Sequence, residues 1–130
     1  MSSDAIGVLQ YNVCSCCPGG DTFTPGCCPC EVGCCKAIGP PSGPEWDAVI
    51  ADAEWPRIKA EAEKLAKANG GCCTDVFKIK RVLDEQWLAE ANTFLGAKGL
   101  KVEVLAFYTS DGKSSTPHLW LQFKKTANGL

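Results

Sequence analysis

The residues most able to do chemistry are the cysteines, ten in a chain of 130. Eight fall in the first 44 residues: Cys14, Cys16, Cys17, Cys27, Cys28, Cys30, Cys34 and Cys35. Cys72 and Cys73 stand apart as an adjacent pair. The opening Met1-Ser2-Ser3-Asp4 shows neither the basic region nor the apolar run of a secretory signal. A reducing compartment is therefore expected, where a disulfide framework is the less favoured use of sulfur.

Three uses of thiolate chemistry compete. S-acylation needs several accessible thiols and no fixed geometry, and neighbours such as Cys16-Cys17, Cys27-Cys28 and Cys34-Cys35 supply that. One acyl chain anchors only marginally, so several are required, especially where the segment offers Lys36 as its one cation. All ten cysteines are candidate acceptors. Zinc is the alternative. Cys14-x2-Cys17 and Cys27-x2-Cys30 have knuckle-compatible spacing, and a bound ion would supply folding energy. The nine residues between those pairs are fewer than a zinc ribbon normally has, and four or more cysteines are left over. Redox chemistry is the third use. Cys72 and Cys73, just ahead of a helix, are the best placed for a lowered thiol pKa, although buried cysteine as a small hydrophobe explains them equally well.

Other chemistries find little support. His118 is the single histidine, set between Pro117 and an apolar strand, and reads as a structural strand residue rather than a general base. Asp84-Glu85 reads as solvated helix surface. No glycine-rich phosphate loop precedes a helix. Net charge is -2 and pI ≈ 5.4, which argues against nucleic acid as a partner. No stretch reaches the roughly 20 apolar residues of a membrane span. The expectation is a protein that is not an enzyme.

Composition divides the chain at residue 44. Residues 1–44 hold 6 of 8 prolines and 7 of 13 glycines but few large apolar side chains, so this Cys/Gly/Pro-rich segment cannot offset its ordering entropy unaided. Gly7 to Val13 is its one candidate strand, expected at a sheet edge. Residues 45–130 read as a compact α+β unit, its 12 acidic and 12 basic residues cancelling.

Within that unit a first helix is predicted from Pro44 toward Ala53, with Pro56 kinking it or opening a new segment. Arg57 to Asn69 is strongly helical, with Ile58, Ala62, Leu65 and Ala66 on one stripe, and Asn69-Gly70-Gly71 stops it. Thr74 or Asp75 caps a single long helix carrying Val76, Ile79, Val82, Leu83, Trp87, Ala91, Phe94 and Leu95 at helical spacing. Leu100 to Thr109 and His118 to Lys124 form a hairpin around Ser110-Asp111-Gly112-Lys113. The fold class expected is α+β: two main helices on a small antiparallel sheet, with an irregular Cys-rich N-terminal segment. Both faces of the hairpin are apolar. The second face is expected to be covered by the leading segment or by the Trp46/Trp55 stretch, the sharper alternative being a partner or membrane surface.

Four features, in order, resemble the golgin subfamily A member seven family. Ala60-Glu61-Ala62-Glu63-Lys64-Leu65 is similar to the end of that family's first long helix. Cys72 and Cys73 fall where the family carries acylated cysteines. Lys80 to Leu95, with Asn92 three residues before Leu95, is similar to its next helix, and Gly99-Leu100-Lys101-Val102-Glu103-Val104 to its closing turn and strand. The resemblance covers about residues 46–107; the Cys-rich segment and Thr109 to Lys125 have no counterpart in it. It implies a non-catalytic protein on the cytosolic face of Golgi or other endomembranes. Such a protein would bind and stabilise a multi-pass acyltransferase and meet the membrane surface through its own acyl chains.

Overall fold

The computed structural model describes residues 5–11, 23–26, 39–70, 75–110, 112 and 115–126. Eight elements follow one another: β1 (Ala5–Tyr11), β2 (Phe23–Gly26), α1 (Pro44–Ile50), α2 (Glu54–Asn69), α3 (Val76–Gln86), α4 (Leu88–Gly96), β3 (Leu100–Ser110) and β4 (Ser115–Lys125). The strands form one antiparallel sheet in the order β2-β1-β4-β3, and the fold is α+β as expected.

β3 and β4 pair over their full lengths, from Leu100 opposite Lys125 to Ser110 opposite Ser115. Alternation puts Val102, Val104, Leu119, Leu121 and Phe123 on the face that meets the helices, all buried. Leu9 and Tyr11 of β1 extend that face, opposite Leu121 and Leu119. The helices return the stripe the periodicity predicted: Ile58, Ala62 and Ala66 from α2, then Val76, Ile79, Leu83, Trp87, Ala91 and Leu95. Burial of these side chains is the main force holding helices to sheet.

Three expectations change. The candidate N-terminal strand is not at an edge: β1 lies between β2 and β4 and pairs with both. Its Val8 and Leu9, which alternate between the two faces of the sheet, are both buried. The single long helix is instead two. At Trp87, φ -128 and ψ -36 break the helical geometry, while the indole Nε1–H donates to the Ile58 carbonyl of α2 at 2.9 Å. At this bend a large ring is fully buried with its one donor satisfied. The third concerns Trp46 and Trp55, which pack on Phe123 with ring centroids 4.9 and 5.7–5.9 Å apart among the three, so they cover the helix-side face rather than the second one.

The helix boundaries follow local chemistry. Pro44 opens α1 at a position where a missing N–H costs nothing. Pro56 sits in the first turn of α2 for the same reason, so that helix starts at Glu54 rather than Arg57. Between them the Asp52 carboxylate accepts from the Glu54 N–H at 2.8 Å and pairs with Lys98 at 2.9 Å. Asp75 is the cap of α3, accepting from the Phe77 N–H at 3.0 Å.

Candidate functional site

Described residues flank two of the cysteine-bearing stretches. Tyr11, the last residue of β1, is paired with Phe23, the first of β2, and their rings lie 4.9 Å apart. Residues 12–22, with Cys14, Cys16 and Cys17, lie between those two in sequence. At the other end of β2, Gly26 is opposite Val8, and the Val8 N–H donates to the Gly39 carbonyl at 2.9 Å. Residues 27–38, with Cys27, Cys28, Cys30, Cys34 and Cys35, lie between Gly26 and Gly39 in sequence. Tyr11 and Val8 are three residues apart on β1, about 10 Å at strand rise, and mark opposite ends of its pairing with β2.

Gly7 lets the chain that follows Gly39 cross β1 closely. A β-carbon there would stand 2.3 Å from the Cα and N of Pro41, so only glycine lets that chain pass over the strand. Cys72 and Cys73 fall in residues 71–74, between α2 and α3. All ten cysteines lie outside the described residues, and so do the four named as alternative zinc ligands. Among the described residues no group of three or more His, Cys, Asp or Glu side chains has the arrangement of a metal site. No helix among them is long and apolar enough to cross a membrane.

The sheet's second face carries His118, buried and stacked on Phe107 at 4.9 Å, with Trp120 edge-on to the same ring at 5.0 Å. This matches a packed strand histidine. The Trp120 Nε1 is buried without a hydrogen-bond partner among the described residues. Asp84 is engaged by Lys80 one turn earlier, at 2.5 Å, as helix-surface pairing.

Sequence reasoning missed one feature. A cavity of about 500 Å³ opens between α1, α2 and the β1–β2 side of the sheet. Leu9, Phe23, Trp46, Trp55, Ile50 and Pro56 supply its apolar walls, and Lys59 and Glu63 its polar margin. Glu63 Oε2 accepts from the Phe23 N–H at 2.9 Å and lies 3.0 Å from Lys59 Nζ. The two tryptophans were the visible signal. Leu9 and Phe23 reach this site only through strand pairing, which no local pattern reveals.

No family model matches the chain, and neither a curated protein nor a solved structure shows significant similarity to it.

Proposed function

We propose that this chain is a non-catalytic peripheral membrane adaptor, held at a lipid surface by acyl chains in thioester linkage to its cysteines. The observation that carries the reading is the crowding of eight cysteines between residues 14 and 35, with three adjacent pairs at Cys16-Cys17, Cys27-Cys28 and Cys34-Cys35. Stable anchoring needs two or more chains entering the bilayer together, since one contributes only a marginal, reversible hold. Neighbouring thiols in one stretch of sequence can carry that many.

The modification itself is acyl transfer. A cysteine thiolate attacks the carbonyl of an acyl-coenzyme A, the tetrahedral adduct collapses, and coenzyme A leaves as its thiolate. A separate acyltransferase supplies the catalysis. The sequence resemblance noted above extends this reading to an accessory subunit of such an enzyme, acting on the cytosolic face of Golgi membranes.

The test is fractionation of cells expressing the full chain, before and after neutral hydroxylamine. Release from the membrane fraction, together with hydroxylamine-sensitive acyl label on the cysteines, is the expected result. A wholly soluble, unlabelled protein overturns the reading. So does about one zinc per four thiolates in the purified chain, which would make it a metal-thiolate module instead.

A further inference from the structure

The cavity beneath α1 and α2 has a chemistry that selects its occupant. It follows α2 for two turns, because Pro56, Lys59 and Glu63 stand at i, i+3 and i+7, about 10 Å along the helix axis. Trp46 and Trp55 form its inner wall, and Ile50 at its margin remains 54% exposed. Its volume, about 500 Å³, lies within the range of small-molecule sites.

The polar margin is balanced internally. One oxygen of Glu63 holds both the Phe23 N–H and the Lys59 ammonium. A free carboxylate entering here would be drawn to Lys59 but repelled by Glu63, and a cation the reverse, so neither gains enough to offset its own desolvation against the apolar walls. A neutral carbonyl fits better. The ammonium has three donors and Glu63 engages one, so Lys59 can donate to an ester oxygen while keeping its partner. We infer that this cavity binds one acyl chain presented as a neutral ester or thioester. Its carbonyl lies at Lys59, and the hydrocarbon runs along α2 past Trp55 toward Ile50. The inference deepens the adaptor reading and rests on it only for the source of the chain, either a thioester carried by the protein or an ester supplied in trans.

The test uses the full chain after hydroxylamine has stripped any thioester. The probe is methyl palmitate brominated at mid-chain, which quenches tryptophan fluorescence on contact. Saturable quenching is expected, with the ester binding about tenfold or more tightly than the corresponding free acid at neutral pH. Ile50→Asp, at an exposed position, should weaken ester binding about tenfold with little change in the unfolding midpoint. Lys59→Met, which keeps the stem, should weaken it several-fold and checks the carbonyl contact separately. Unstripped protein that binds less probe places the chain in cis; equal binding places it in trans. Unsaturable quenching, equal affinity for ester and acid, or indifference to both substitutions overturns the inference. Saturable ester binding by a protein that carries no thioester in cells overturns the anchoring alone.

Discussion

The carboxamide of Asn92 closes both main-chain groups of Val102. Its Nδ2 donates to the Val102 carbonyl at 3.2 Å, and its Oδ1 accepts from the Val102 N–H at 2.7 Å. β3 is an outer strand of the sheet, and these groups face away from its one neighbour, β4. A helix side chain thereby supplies the two bonds that a further strand would make. This is one way to blunt an edge that would otherwise recruit another chain.

Asn92→Ala should leave the Val102 N–H and C=O half-buried without partners. A loss of about 1–3 kcal/mol is expected from denaturant unfolding, with a greater tendency to associate at high concentration. Unchanged stability and a strictly monomeric variant would refute the role.

The Trp87 indole joins the α3–α4 bend to α2 through the Ile58 carbonyl. Trp87→Phe should cost about 1–3 kcal/mol through the lost bond and reduced filling. Trp87→Ala should cost about 3–5 kcal/mol because the ring is buried at the helix junction. Thermal and chemical unfolding of both variants would check the ranking.

Gly7→Ala should be among the more damaging single-methyl additions. The new β-carbon would overlap the main chain of Pro41, which cannot rotate aside. A loss of about 1–3 kcal/mol is expected. Faster amide exchange at Val8, whose N–H is held by Gly39, should accompany it and can be read by mass spectrometry.

Asp52 makes stability depend on acid. The Glu54 N–H, and then Lys98, hold its carboxyl below the ordinary value. The folded chain therefore binds this proton less readily than the unfolded one. The stability so gained is complete at neutral pH and disappears as pH falls through the folded value. Asp52→Asn should lower the melting temperature at neutral pH, and the gap from the parent chain should close on acidification. A gap independent of pH would contradict the assignment.

Much of the fold was legible because its signals are local. The Ile79, Leu83, Trp87, Ala91 and Leu95 stripe identified the packing face of α3 and α4, and alternation grouped Val102 with Val104 and Leu119 with Leu121 and Phe123, although with both faces apolar it did not say which face is the inner one. What escaped depends on residues far apart in the chain. β1 reads alone as a short apolar stretch, and its central place follows from pairing with β4 more than a hundred residues later. Asn92 looks like an ordinary helix-surface amide until β3 lies beside it. Trp87 fits the helical period, so nothing in its spacing shows that a buried carbonyl would draw the ring out of line. For the candidate site, the cysteine arithmetic was readable at once. The balanced Lys59–Glu63 margin and its cavity required the sheet to be assembled first.

β1 is bonded along both of its flanks, to β2 on one side and β4 on the other. A mechanical load applied at Tyr11 therefore enters the sheet at an inner strand and is shared by two ladders. A load applied at Gly26 meets an outer strand held by one ladder, which can peel away one bond at a time. The same sheet thus answers a pull in two ways, firm at one end of the β1–β2 pairing and yielding at the other.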